Sequence, residues 1–344
     1  MTVRGWRRWP AGATALAALL VLGAADASGP AGAPGVRGAA GPSTPVSPSG
    51  PASTPGPVTT PSAAATPASI PARAAPGICT SSTQPALAAK LSRQIARALR
   101  GRSSTVGIAA DDSEERVSCR YHQWREFHSA SVIKVITLCA LLHELQGMQN
   151  LTPDQAFLAQ AMITESDNDA QDTLWNEVGM DALQRFLAAA KMNRTRLGQD
   201  DYWGLTEVNA HDELRLLHLL INPNPVLDRA SRRYALGLMA DVVPGQRWGV
   251  PAGAPPDVTV HLKNGWLPDP DLWDVNSIGD FTRRDIDYSI AILTRNDPDM
   301  AYGVAVVESV ARLINQALAE DADGGVTAPQ RFRNPPYLQR RSAW

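Results

Sequence analysis

Ser131-Val132-Ile133-Lys134 opens a run that carries no further charge as far as Leu142. In a helix, positions three apart share a face, so the Lys134 amine can reach the Ser131 hydroxyl. A lysine in apolar surroundings loses proton affinity and can take up a serine proton. A serine in the first helical turn also lies beside free backbone N–H groups and the positive end of the helix dipole. The chemistry would be nucleophilic attack by Ser131 with Lys134 as base. The same string also reads as a core helix with a snorkelling lysine, or as a β-branched strand. Lysine usage weighs toward chemistry: only Lys90, Lys134, Lys191 and Lys263 occur among 32 basic residues. Arginine does not give up its proton, whereas lysine does.

Two further short strings carry suitable groups. Ser166-Asp167-Asn168 falls between helical segments. On an extended turn Ser166 and Asn168 face the same way while Asp167 turns into the protein. The hydroxyl could then relay a proton and the amide bind a substrate amide. The string is equally a helix start with a capping side chain. Lys263-Asn264-Gly265 follows an apolar strand-like run, where a cation could hold a substrate carboxylate. It also fits an Asn-Gly hairpin turn.

These groups need elements to bring them together. Leu87, Leu91, Ile95 and Leu99 recur at helical spacing and predict a helix over 85–100. Strands are predicted over Thr105–Ala110 and Arg116–Tyr121, joined by an acidic turn at Asp111-Asp112-Ser113. Residues 130–222 read as several helices, broken near Asn150, at Ser166–Asn168 and by a loop over 193–205. A helix over 228–241, strand-like runs at Val258–Leu262, Trp273–Gly279 and Tyr288–Thr294, and a last helix over Val304–Ala319 complete the domain. Strands at both ends with helices between them predict an α+β fold, with one antiparallel sheet built from both ends of the domain and a helical lobe. The cleft between sheet and lobe is the natural site.

The 344 residues carry a net charge of −2, which argues against nucleic acid and against a charged membrane surface as partners. Arg4, Arg7 and Arg8, the apolar run Ala13–Ala25 and the small residues after it read as a signal peptide over 1–27. An anchor retained in the membrane is the alternative. Residues 28–76, rich in Pro, Ala, Ser, Thr and Gly, read as a disordered tether, and 321–344 as a disordered tail. That leaves 77–320 as the folded domain, expected outside the cytoplasm. Cys139 lies in an apolar helix, so Cys79 and Cys119 are the expected disulfide pair in an oxidising compartment. No metal-ligand spacing, Gly-x-Ser-x-Gly elbow or His-Glu-x-x-His string occurs. Neither metal nor cofactor is expected. Of the scattered histidines, His261 alone shares a strand face with Lys263.

Ser-x-x-Lys, Ser-Asp-Asn and Lys-x-Gly in this order resemble the signature of class A β-lactamases and penicillin-binding proteins. The second string follows the first by 35 residues (166 − 131). The resemblance covers about residues 80–320 and implies a β-lactamase/transpeptidase-like fold. It implies Ser131 as the acylated nucleophile, Lys134 as its base and Ser166 as proton relay. Asn168, Lys263, Asn264 and Gly265 would bind substrate, and the N–H groups of Ser131 and Trp266 would form the oxyanion hole. The substrates implied are β-lactams or D-alanyl peptides, with peptidoglycan as a further partner. Two departures bear on turnover. Asn264 stands where the family carries a hydroxyl residue, and no Glu-x-x-Leu-Asn string is present. Counting from Thr195-Arg196-Leu197, the place of the deacylating glutamate falls on Asp201, with Glu207 the nearest other carboxylate. Slow deacylation is therefore expected. A D,D-peptidase and a non-catalytic penicillin- or wall-binding module are the alternatives.

Overall fold

The computed structural model describes residues 77–112, 116–199, 202–269, 271–283 and 287–324, with side chains to 318. The expected signal peptide, the tether and Asp201 lie outside the described residues. The described residues begin with β1 (Cys79–Thr80), α1 (Pro85–Leu99), β2 (Thr105–Asp112), β3 (Ser118–Tyr121) and β4 (Phe127–His128). A helical stretch follows: α2 (Ile133–Glu144), α3 (Pro153–Gln160) and α4 (Asn168–Ala190), the last broken at Gly179, which adopts a φ of 75°. After the short β5 (Glu207–Val208) come α5 (Ala210–Ile221) and α6 (Arg229–Ala240). The chain closes with β6 (Thr259–Asp269), β7 (Leu272–Thr282), β8 (Asp287–Asp297) and α7 (Met300–Gly324).

Both ends of the domain meet in one antiparallel sheet of order β1-β3-β2-β8-β7-β6. The joint is β2 against β8, in register from Thr105 opposite Arg295 to Asp112 opposite Tyr288. Helices cover both faces, so these central strands read as nearly continuous apolar runs. Alternate residues of β2 and β8 serve different cores. Val106, Ile108, Ile290 and Ile292 pack with Leu91 and Ile95 of α1 and Val307 and Ile314 of α7. Ala109, Ala291 and Leu293 face the helical lobe. The centre of that lobe is α2, buried at every position from Ile133 to Leu142. Four β-branched residues in its first turns do not prevent the helix, because a helix apolar all round is favoured where it is enclosed.

Three sequence expectations are corrected. Asp111 and Asp112 form no turn; they end β2 and are buried, Asp111 paired with Arg120 and Asp112 accepting from Arg116 N–H at 2.6 Å. Lys263-Asn264-Gly265 does not end its strand. The β7 partner offers an unbroken ladder, Lys263 opposite Ile278 through Asp269 opposite Leu272, and this outweighs the local turn preference of Asn-Gly. Finally, α7 continues through Asp321–Gly324, past the start of the expected tail. The expected disulfide is present: Cys79 and Cys119 face each other across β1 and β3, with Cα atoms 3.9 Å apart. Cys139 is a free, buried thiol.

Candidate active site

Ser131 occupies a single 3-10 turn, Ala130–Val132, that runs straight into α2. Ala130 is held at φ 47°, a left-handed conformation that costs a residue with a Cβ about 1–3 kcal/mol. Its neighbours hold it there. Ser129 N–H donates to Thr206 O at 2.8 Å, and Asn276 Nδ2, from β7, donates to Ser129 O at 3.1 Å and His128 O at 2.8 Å. The β6 backbone presses against the same turn. A Cβ on Gly265 would lie 2.8 Å from both Ser129 O and Ser131 N, so only glycine allows the approach.

Lys134 is fully buried. Its Nζ lies 3.1 Å from Ser131 Oγ, 2.7 Å from Ser166 O, 3.2 Å from Ser166 Oγ and 2.7 Å from Asn168 Oδ1. Burial first, then the nearby Lys263 charge, push its pKa well below the ordinary lysine range, with Asp167 and Asp172 pulling the other way. A neutral amine has two N–H bonds and one lone pair. The two closest partners, Ser166 O and Asn168 Oδ1, can only accept, so they take both N–H bonds. The lone pair is left for a hydroxyl, and Ser131 Oγ is in place to give it a proton.

Ser166 ends a π-helical turn, Ala161–Glu165, at φ 60°, ψ 35°. This left-handed geometry lets its carbonyl and hydroxyl both meet Lys134. Asp167 is the N-cap of α4, accepting from Ala170 N–H at 2.7 Å. The capping and site readings of Ser166-Asp167-Asn168 therefore hold together: Asp167 starts the helix, and its two neighbours turn to the amine. Lys263, also fully buried, donates to Ser166 Oγ at 2.9 Å and to Asn264 O at 3.0 Å. Burial pushes its pKa down to about 7. One hydroxyl thus links two buried amines.

Other expected residues are placed differently. Side chains alternate across β6, so Lys263 and Gly265 face the lobe while Asn264 and Trp266 face the opposite core. Asn264 donates to Gln246 O at 2.7 Å and Trp248 O at 2.9 Å and accepts from Ser277 Oγ at 2.6 Å. With these bonds its side chain is satisfied away from the cleft, a correction to its expected contact with substrate. The Trp266 ring packs beside Trp248, centroids 5.8 Å apart. Glu207 is a second correction: its carboxylate is engaged by Arg196 at 3.1 Å on a half-exposed surface shared with Glu126. It makes none of the contacts that join Ser131, Lys134 and Ser166. His261 bridges Leu236 O at 2.7 Å and Thr282 Oγ1 at 3.3 Å, a structural position.

Sequence reasoning passed over Trp203, Asp172 and Asn276. Trp203 follows Asp201, the expected place of the deacylating carboxylate, by two residues, and Asp172 and Asn276 carry no local signal. The Trp203 ring centroid is 5.0 Å from Lys134 Nζ, and its indole N–H donates to Asp172 Oδ1 at 2.6 Å.

A sequence model described as the β-lactamase enzyme family matches residues 144–318, half of the chain. The chain belongs to that family. It is thus a serine hydrolase of the β-lactamase kind. The match spans Ser166, Asn168 and Lys263, while Ser131 and Lys134 precede it. The fold of this β-lactamase-family enzyme is shared with solved structures. A class A β-lactamase from Bacteroides cellulosilyticus is 19% identical, with a TM-score of 0.58 over 67% of this chain and 98% of that one. A β-lactamase from Xanthomonas campestris is also 19% identical, with a TM-score of 0.59 over 68% and 98%. An acyl-enzyme complex of a variant of the penicillin-binding protein PBP-A with penicillin G is 19% identical, TM-score 0.58, over 67% and 96%. A search of curated proteins finds no match.

Proposed function

We propose that this enzyme is acylated at Ser131 by β-lactams or D-alanyl peptides and releases the acyl group slowly. The observation that carries the reading is the convergence of Ser131, Ser166 and Asn168 on the buried Lys134 amine, with contacts of 2.7–3.2 Å. Ser131 Oγ attacks the carbonyl carbon as its proton passes to Lys134 Nζ. The C–N bond then breaks, and the leaving nitrogen takes a proton returned through Ser166 Oγ, which Lys263 also holds at 2.9 Å. Lys263 supplies positive charge for a substrate carboxylate and Asn168 an amide for the substrate's amide. The N–H groups of Ser131 and of Trp266, the residue after the close approach at Gly265, stabilise the oxyanion.

Slow release is supported by the absence of a Glu-x-x-Leu-Asn string and by the engagement of the described carboxylates, Asp201 lying outside the described residues. Glu207 is committed to Arg196 and Asp167 to the α4 N-terminus, leaving neither to activate water at the ester. That commitment also favours a D,D-peptidase as the second reading, tested by release of D-alanine from a D-Ala-D-Ala peptide. The N-terminal basic and apolar run, together with a disulfide suited to an oxidising compartment, supports export. The N-terminus of protein recovered from culture medium tests that.

The deciding experiment is intact-mass analysis of the full chain after exposure to benzylpenicillin. A persistent adduct of one acyl group on the wild type, lost in Ser131→Ala, supports the reading. Rapid turnover with no adduct would show that a deacylating group exists. No reaction at all would leave a binding module in place of an enzyme of this substrate class.

A further inference from the structure

We propose that the indole of Trp203 is a water-excluding cover on the Lys134 side of Ser131, and that it governs how long the acyl-enzyme lasts. The inference rests on the acylation reading above and adds the residue that decides the fate of the ester.

Hydrolysis of a seryl ester requires a water oxygen to bond to the carbonyl carbon. The C–Oγ bond breaks, one water proton is taken by a base, and Ser131 Oγ regains a proton. The water therefore needs room beside the ester and a group to accept its proton. In this enzyme an aromatic ring lies against that group: the Trp203 centroid is 5.0 Å from Lys134 Nζ, itself 3.1 Å from Ser131 Oγ. The ring is anchored at its far edge, Nε1 donating to Asp172 Oδ1 at 2.6 Å. Asp172 follows Asn168 by one helical turn on α4, so the residue that holds the ring and the residue that holds the amine share one face. The backbone holds the ring from below. Trp203–Leu205 form a 3-10 turn, and the next residue, Thr206, accepts from Ser129 N–H at 2.8 Å, tying the loop to the turn that bears the nucleophile.

The charged groups acting on Lys134 are Lys263 from β6 and Asp167 and Asp172 from α4. Asp167 is occupied in capping α4 and Asp172 in holding the indole. With the ring in place, the amine is dry, suited to take the Ser131 proton and poorly placed to activate water. Trp203 is accordingly a positioning residue, acting through Lys134 and through exclusion of water.

The test follows the benzylpenicillin adduct by intact mass in the full chain for Trp203→Ala, Trp203→Phe, Asp172→Ala and Asp172→Asn. Opening the cover should shorten the adduct half-life by at least about tenfold in Trp203→Ala, with Asp172→Ala moving the same way. Asp172→Asn keeps an acceptor oxygen for the indole and should stay near the wild-type lifetime, whereas Trp203→Phe keeps a ring but lacks the N–H that Asp172 holds, so its adduct should be shortened as in Asp172→Ala. In the free enzyme, reductive methylation mapped to Lys134 should proceed faster in Trp203→Ala, with its pH midpoint moved upward as water reaches the amine. A purely structural role would not move that midpoint. Unchanged adduct lifetime in both alanine variants overturns the proposal. If the wild type forms no adduct, the acylation reading fails, and methylation of Lys134 still judges the cover: an unchanged rate and midpoint overturns it. Should Trp203→Ala not fold, Asp172→Ala, which leaves the ring unanchored, is read by adduct lifetime and methylation rate alone, because loss of the Asp172 charge itself lowers the Lys134 midpoint; both unchanged overturns the proposal.

Discussion

Replacing Lys263 with methionine should stabilise the fold while impairing acylation. The amine is fully buried, and burial brings its pKa from the ordinary 10.5 to about 7. Between those values the unfolded chain binds a proton that the folded chain does not, so stability rises with pH across that window, by about 1.4 kcal/mol per pH unit. The cost of burying the lysine is therefore fully present below pH 7 and gone above about 10.5. Across the whole gap it is on the order of 5 kcal/mol. Set against it are the contacts to Ser166 Oγ at 2.9 Å and Asn264 O at 3.0 Å, each about 1 kcal/mol net. Methionine is similar in length and needs no solvation. Removing the charge also relieves Lys134, whose pKa the Lys263 charge helps to depress. Lys263→Met should then be more stable than wild type by about 2–3 kcal/mol at pH 6, with the two equal near about pH 9 and the wild type the more stable above it. Guanidinium denaturation of both proteins across pH 6–10 reads the difference. A methionine variant that is less stable at pH 6 by an amount constant with pH would refute the reasoning, because the contacts would then outweigh burial.

The other predictions concern the remaining groups of the site. Lys134→Met should slow acylation of Ser131 about 10²–10⁴-fold, the usual loss of a general base, without unfolding the chain; stopped-flow acylation and a melting curve check both halves. In Gly265→Ala the new Cβ would meet backbone at 2.8 Å, so acylation should fall, with a loss of about 1–3 kcal/mol in stability; wild-type kinetics in this variant would mean that β6 does not press on the nucleophile turn. Glu207→Gln should leave the adduct lifetime unchanged, since that carboxylate is held by Arg196; a longer-lived adduct by intact mass would return Glu207 to the list of deacylating groups.

Much of the architecture was legible because it rests on local pattern. Leu91 and Ile95 repeat at helical spacing and form the buried face of α1, and the strands at both ends appear as short β-rich runs. The legibility ended where local preference and tertiary partner disagree. Asn264-Gly265 favours a turn, yet β7 extends the ladder through it. Asp111 and Asp112 look like turn residues, yet Arg120 and Arg116 receive them at the end of a strand. Side-chain direction is lost in the same way, since a strand read as ending at Leu262 does not reveal that Asn264 faces away from Lys263.

By itself the sequence determined the chemical groups and their helical spacing: Ser131 and Lys134 three apart on one helix, and a chain that spends only four lysines. Such i to i+3 geometry is set by the helix alone and needs no partner. What only the tertiary structure decided is the state and company of those groups. Lys134 becomes a base because a whole lobe encloses it, and Ser166 and Asn168, more than 30 residues away, take up its N–H bonds. Trp203 reaches it from a loop about 70 residues downstream, held by an aspartate on another helix. Desolvation and long-range contact depend on where the chain folds back on itself, and no short run of residues records that.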